Sequence, residues 1–278
     1  MLPSGAGGLI FKRMDLSQLC QDTIAIVKKT GAFLKQEAAT FDKANIEYKS
    51  AANDMVSYVD KEAERQLVAS LSSLMPEAGF ITEENTIEKH SDTLNWIIDP
   101  LDGTTNFIHG LPVYCVSVAL VQGKQPLLGV IYEPNLDECF YAWQGGGSFC
   151  NQKQIRTSDA PSLAHSLIAT GFPYQVDSKI NVYLTILQDF VRNSHGVRRF
   201  GAAAVDLAYV ACGRFEGFYE FGLKSWDMAA GILIVEEAGG KVTDFSGGDS
   251  HLFGGKLIAA AAHVHAEMQE VIARHWQA

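Results

Sequence analysis

The chain reads as a layered α/β or α+β protein. Three observations point there: helical apolar periodicity at both ends, a central run of short strands, and a late helix that is apolar nearly all round. Leu16, Leu19, Ile24, Val27, Phe33 and Leu34 recur at helical spacing and predict a first helix over 15–39. A second helix is predicted over 54–75, ending before Pro76. Phe80-Ile81-Thr82 reads as a short strand, followed by strands at 95–98, 113–122, 126–132 and 138–143. Gly123-Lys124 and Pro134-Asn135 turn the last of these into a meander. Gly145-Gly146-Gly147 lacks the strand–helix context and the G-K-S/T of a phosphate loop, and reads as a turn. Helices are then expected at 179–193, 202–212, 226–238 and 264–276, with strands at 215–220 and 257–261. Residues 1–13, rich in glycine, read as a flexible leader or cloning scar outside a single folded domain over 14–278.

Composition narrows the function. The chain has 278 residues, 47% of them hydrophobic, enough for a large core. Its 32 acids against 22 Lys plus Arg give a net charge of −10, which disfavours nucleic acid as a partner. A phosphate ligand would need local cations to reverse that field. No apolar run approaches the ~20 residues of a membrane helix. The five cysteines show no C-x-x-C and no metal-like spacing, which fits buried thiols in a reducing cytoplasm. No histidine pair has H-x-x-x-H spacing, so oxygen ligands for Mg²⁺ or Mn²⁺ are favoured over a zinc site.

The richest segment is Trp96-Ile-Ile-Asp99-Pro100-Leu101-Asp102-Gly103-Thr104-Thr105-Asn106-Phe107. Pro100 is expected to stop a buried strand, Gly103 to allow a tight turn, and Thr104 to cap a helical turn. Two carboxylates, the Leu101 carbonyl and a helix start then converge, a set suited to a hard cation and a phosphate. A plain strand-to-helix turn with Asp102 as its cap would show the same pattern. Asp60 lies within about 60° of Val56, Ala63, Leu67 and Leu71 at 100° per residue, so an acid sits inside an apolar stripe. A rim position reaching solvent or an arginine is the alternative there. Glu83 and Glu84 follow a strand, and alternation sends them to opposite faces. Asp227 falls in the first turn of the apolar helix, where an acid also offsets the helix dipole.

Asp99-Pro-Leu-Asp-Gly-Thr with Asn106-Phe107, Trp226-Asp-Met-Ala-Ala-Gly231 running on to Glu236-Glu-Ala-Gly-Gly240, and Ile81-Thr-Glu-Glu84 occur in order. Together they resemble the inositol monophosphatase family of Mg²⁺-dependent, lithium-sensitive phosphatases, in its bacterial inositol-1-monophosphatase form. The resemblance implies an αβαβα sandwich, a homodimer, and hydrolysis of a small phosphate monoester by a metal-activated water. It implies Mg²⁺, with Mn²⁺ as a substitute and Li⁺ as inhibitor, held by Glu83, Asp99, the Leu101 carbonyl, Asp102 and Asp227, with Asp99 bridging. Asp60 and Thr104 would orient the attacking water, with Glu83 also in the catalytic set. Gly103, Thr104, Arg198, Gly201, Ala203, Glu220 and Asp227 would contact substrate, and Lys49 would lie near the metals. Lys224 departs from some relatives. Fructose-1,6-bisphosphate, histidinol phosphate and 3′-phosphoadenosine 5′-phosphate are alternative substrates, and a regulatory protein-binding role is a different class of function.

Overall fold

Asp15 starts the first helix, its carboxylate accepting from the Gln18 backbone N–H at 3.1 Å. The computed structural model describes residues 15–42, 46–48, 55–174 and 178–276. The leader at 1–13 and Lys49 lie outside the described residues. Helix α1 (Leu16–Ala38) buries Leu19, Cys20, Val27 and Leu34 along one stripe. Strands β1 (Ile46–Tyr48) and β2 (Met55–Ser57) pair antiparallel. Helix α2 (Tyr58–Leu74) therefore begins four residues later than its periodicity predicts. Ser57 sets that start, because its extended backbone and its side chain, bonded to the Val59 N–H, form an N-cap.

Seven strands then form one sheet in chain order: β3 (Gly79–Thr82), β4 (Leu94–Asp102), β5 (Cys115–Gln122), β6 (Gln125–Glu133), β7 (Glu138–Trp143), β8 (Gly147–Cys150) and β9 (Lys153–Gln154). Only β3–β4 is a parallel pair; the others are antiparallel. The short helix α3 (Thr104–His109) connects β4 to β5. The triple glycine is a turn, as expected, and Glu237 fixes it by accepting the Gly145 and Gly147 N–H groups at 2.7 and 2.8 Å.

The second sheet has β10 (Leu167–Thr170), β11 (Gly196–Arg198), β12 (Gly217–Phe221), β13 (Gly240–Thr243) and β14 (Lys256–Ala261), in the order β11-β10-β12-β14-β13. Its helices are α4 (Ile180–Asn193), α5 (Ala203–Ala211), α6 (Ser225–Glu237), the single turn α7 (His251–Gly254) and α8 (Ala262–His275). Strands β8 to β11 and β13 were not foreseen, since two to four residues carry too little periodicity.

Three apolar clusters separate five layers. One lies between α1, α2 and the seven-stranded sheet, the second between the two sheets around α5 and α6, and the third beneath α4 and α8. The order is the αβαβα sandwich. Helix α6 occupies the middle layer, so Met228–Val235 are buried on every side, which explains its lack of a polar face.

Close approach of α6 to the sheet depends on Gly129 in β6. A Cβ there would lie 2.8 Å from both the Cα and the carbonyl oxygen of Ala230. Gly129→Val is expected to cost about 2 kcal/mol or more by overpacking against backbone. The check is a lower urea midpoint at unchanged m-value; an unaltered midpoint would mean that α6 is free to move away.

Candidate active site

Strand β4 does not stop at Pro100 as the sequence reading expects. It continues to Asp102 through a bulge, for Asp99 pairs with Ser117 and Asp102 with Cys115. Three residues thus advance against two, and Pro100 sits where no ladder hydrogen bond is required of it. The bulge turns both acids to one end of the sheet. Gly103 follows at φ +92°, a conformation that a side chain would strain, and it takes the N-cap position of α3. Thr104 is therefore the first helical residue, not the cap. Its hydroxyl is turned instead toward Asp60 Oδ1 at 2.9 Å and the Leu101 carbonyl at 3.0 Å.

Asp60 is 1% exposed, which rules out the rim alternative. Its Oδ2 accepts from the Ser57 N–H at 2.8 Å and the Ser57 hydroxyl at 2.7 Å, closing a capping box on α2. One carboxylate thus starts a helix with one oxygen and reaches Thr104 with the other. Burial raises its pKa to about 6, against the lowering effect of the Ser57 hydrogen bonds.

Asp102 does not cap its own helix either. Its Oδ2 accepts from the Ala204 N–H at 2.7 Å, in the first turn of α5, and lies 3.8 Å from the Cys115 thiol. Asp227 does the equivalent locally, with Oδ2 accepting from the Lys224 N–H at 2.6 Å. Glu83 extends from the end of β3. The loop that carries it is held by Glu64, a fully buried acid on α2 that the sequence reading passed over. Glu64 accepts from the Glu84 N–H at 2.8 Å and the Thr86 N–H at 2.7 Å. Its position one turn after Asp60, on the same helix face, was the available signal.

Glu83, Asp99, Leu101, Asp102, Gly103, Thr104, Glu220 and Asp227 all line one pocket of about 180 Å³, closed on another side by Phe172, Pro173 and Tyr174. Glu84 does not line it. A smaller chamber of about 50 Å³ continues from it past Gly201, Ala203, Asp206 and Arg199. Arg198, expected on the substrate side, lines neither space. Its Nη1 bonds the Val197 carbonyl, and alternation along the chain gives the chamber to Arg199. Tyr174, Arg199 and Asp206 are further residues that no sequence pattern singled out.

The electrostatics of this pocket are one-sided. Burial first, then the charges of Glu83, Asp102 and Asp227, drive the Asp99 pKa well above the usual carboxylate range. Burial and then Asp102 do the same to Asp227. Burial lifts Asp102 to about 6, with the Ala204 N–H opposing, and Glu220 to about 8, with the Arg199 charge opposing. Such a group of acids is costly until a cation joins it. The pocket's acids offer only oxygen donors, five carboxylates (Glu83, Asp99, Asp102, Glu220 and Asp227) beside the Leu101 carbonyl, a set that fits a hard divalent cation. Among the described residues no three His, Cys, Asp or Glu side chains already stand together as a ready ligand shell.

The sign of the pH dependence follows. Asp60 and Asp102, both near 6, and Glu220, near 8, lie above their ordinary values of 3.8, 3.8 and 4.5. The native state holds extra protons between those limits, so their contribution is present at acid pH and fades as pH rises toward 8. In EDTA, the melting temperature should fall from pH 5 to pH 8, and Glu220→Gln should flatten the fall. Adding Mg²⁺ should stabilise the protein more at pH 8 than at pH 5. A stabilisation by Mg²⁺ that is larger at pH 5 would contradict this assignment of charges.

Comparison with known proteins now has a site to refer to. The model of the family described as "Inositol monophosphatase family" matches residues 15–278. An inositol-1-monophosphatase of Mesorhizobium japonicum is 39% identical over 88% of this chain and 92% of its own length. A Nus factor SuhB of Escherichia coli is 38% identical over 87% of this chain and 90% of its own. The crystal structure of extragenic suppressor protein SuhB from Bartonella henselae superposes with a TM-score of 0.86 at 38% identity, covering 92% of this chain and 98% of that one. The layered sandwich, the ordered motifs and these relatives agree: the chain belongs to the inositol monophosphatase family, which supports a phosphatase.

Proposed function

We propose that the protein is a Mg²⁺-dependent phosphomonoesterase acting on myo-inositol monophosphate. The observation that carries the reading is the Thr104 hydroxyl, 2.9 Å from the buried Asp60, at the wall of a pocket lined by Glu83, Asp99, Asp102 and Asp227. Glu83, Asp99 and the Leu101 carbonyl would hold one Mg²⁺, and Asp99, Asp102 and Asp227 a second. Bound there, the ions supply positive charge for the phosphate and lower the pKa of a coordinated water.

The protein's own groups do the rest. Thr104 has one hydroxyl proton and two acceptors in reach. With Asp60 ionised, the hydroxyl donates to Oδ1, which leaves a Thr104 lone pair to accept a hydrogen bond from the attacking water. The water's proton can pass to Thr104 as Thr104's own proton passes to Asp60. With Asp60 protonated, the carboxyl can donate to Thr104, which then donates to the Leu101 carbonyl and faces the water differently. The pKa of about 6 for Asp60 puts the productive form at neutral pH. Glu220, on β12, would accept from ring hydroxyls of the leaving group, and the start of α5 at Gly201 and Ala203 would offer backbone groups beside it. Gly171 leaves room for that acid, since a Cβ would lie within 2.4 Å of both Glu220 carboxylate oxygens.

Phosphate release from a panel of inositol-1-phosphate, glycerol-2-phosphate and fructose-1,6-bisphosphate, with and without Mg²⁺, tests the reading directly. Inositol-1-phosphate should be preferred, EDTA should abolish turnover and Li⁺ should inhibit it. Asp99→Asn should cost more activity than Asp227→Asn, while folding persists. Wild-type rates for Asp99→Asn at saturating Mg²⁺ would refute the metal assignment. The identity with a Nus factor SuhB supports a second, compatible reading, in which the same fold also serves a regulatory protein complex. Retention of all the acids listed above favours catalysis in either case.

The Asp60–Thr104 unit yields a sharper expectation. Asp60→Asn and Thr104→Ala should each lower kcat by about 10²–10³, and the double variant by little more than the worse single one. Substrate KM should barely move. Kinetics of the three variants decide it, and losses that multiply would mean the two residues act separately.

A further inference from the structure

Helix α2 carries a second buried acid that the proposed reaction does not use. Glu64 is fully buried, one turn after Asp60. Its carboxylate meets the segment that follows Glu83: Oε2 accepts from the Glu84 N–H at 2.8 Å and Oε1 from the Thr86 N–H at 2.7 Å. Asn85, between those two N–H groups, is left-handed at φ +53°. A left-handed residue in this place turns the N–H groups on either side of it toward one point, forming a concave backbone nest that binds an anion. Here the anion is Glu64, supplied by the protein itself. The Asn85 side chain closes the turn, with Nδ2 donating to the Glu83 carbonyl at 3.2 Å. On the sheet side, the Glu83 N–H donates to the Ile98 carbonyl at 3.3 Å, next to Asp99. The backbone around Glu83 is thus held between β4 and α2.

The nest is concave only while Asn85 stays left-handed, a conformation that costs a non-glycine residue energy. A buried carboxylate without hydrogen-bond partners is costlier still. Each need meets the other, so the segment and the helix lock as one unit. Asp60, four residues earlier on the same helix, reaches Thr104. One turn of α2 thereby refers the water-orienting hydroxyl and the Glu83 segment to a common frame. We propose that Glu64 is a positioning residue of the cation site: it fills the nest behind Glu83 as an internal anion and fixes where Glu83 meets a divalent cation. It acts from outside the pocket, whose lining does not include it. The inference rests on the phosphatase reading for its consequence in turnover, but not for the filled nest or for the binding of the cation.

Calorimetric titration with Mg²⁺, without substrate, reads the cation site directly. Glu64→Gln keeps one acceptor but sets an NH₂ group against the other N–H, and should weaken Mg²⁺ binding about tenfold. Leu71→Ala truncates a fully buried side chain on the same helix. It should lower the melting temperature at least as much, yet leave Mg²⁺ affinity within about twofold of wild type. Unchanged affinity in Glu64→Gln, or an equal loss in Leu71→Ala, overturns the proposal. Glu64→Ala removes a CH₂–COO⁻ group, the size of an acetate ion, and leaves the nest open. Acetate at about 0.1 M should restore most of that variant's Mg²⁺ affinity and of its melting temperature in EDTA, while chloride at the same concentration restores neither. Wild type should respond alike to the two salts. Equal Mg²⁺ affinities of Glu64→Ala in acetate and chloride also overturn the proposal, because the nest would then not be where Glu64 acts. With inositol-1-phosphate, the Mg²⁺ concentration for half-maximal rate should rise about tenfold in Glu64→Gln, while kcat at saturating Mg²⁺ and substrate KM hold. If no form hydrolyses the ester while Mg²⁺ affinity still depends on Glu64, the phosphatase reading falls and the positioning role stands. Should Glu64→Ala fail to fold in either salt by circular dichroism, Glu64→Gln against Leu71→Ala decides the matter alone.

Discussion

Mutual repulsion among buried carboxylates is the constraint around which this molecule is arranged. Glu83, Asp99, Asp102 and Asp227 face one pocket, and beyond burial the charges of Glu83, Asp102 and Asp227 each raise the proton affinity of at least one other acid there. Left unattended, such a cluster would push its elements apart. The fold restrains it by giving several acids a second task in the backbone. Asp102 accepts the Ala204 N–H of α5, Asp227 accepts the Lys224 N–H ahead of α6, and Asp60 closes the capping box of α2. Helix N-termini carry partial positive charge, so each bond offsets part of the repulsion while fixing one oxygen in space. Asp60 keeps its other oxygen for the Thr104 hydroxyl, 2.9 Å away.

This dual use ties the layers together at the site. Asp60 belongs to the outer helical layer, Asp99 and Asp102 to the seven-stranded sheet, Asp227 to the middle helices and Glu220 to the five-stranded sheet. Four layers therefore meet at one pocket, and their relative positions are set by packing elsewhere. The approach of α6 over Gly129 and the anchorage of the Gly145–Gly147 turn by Glu237 keep that helix in register with β6 and β7. Glu64 does comparable work for the loop behind Glu83 without touching the pocket.

Polarity changes abruptly across the wall formed by Gly222 to Lys224. On one side lie Glu83, Asp99, Asp102 and Asp227; on the other, Lys179 and Lys256 stand over Trp276. In a chain of net charge −10, anionic ligands are repelled at long range, so recognition of a phosphate has to be local.

Much of the site was legible in the sequence because its acids sit in short ordered motifs whose chemistry is unusual for buried positions. Asp60 stood out by falling within an apolar stripe, and Asp227 by opening a helix with no polar face. The helices were also legible, as periodicity over fourteen or more residues leaves a clear imprint in α1, α2, α4 and α8, while α6 showed as a continuous apolar run. Three things were settled only by tertiary structure. Pro100 was read as a strand end because proline lacks an N–H, yet the partner strand accommodates it in a bulge. Thr104 was read as a cap, yet the chain places Gly103 there and Asp60, forty-four residues earlier, takes the hydroxyl. Arg198 and Arg199 are indistinguishable as residues, and only the course of the chain after β11 decides which one reaches the chamber. Local sequence encodes what each residue can bond; which partner is present depends on segments that only folding brings together.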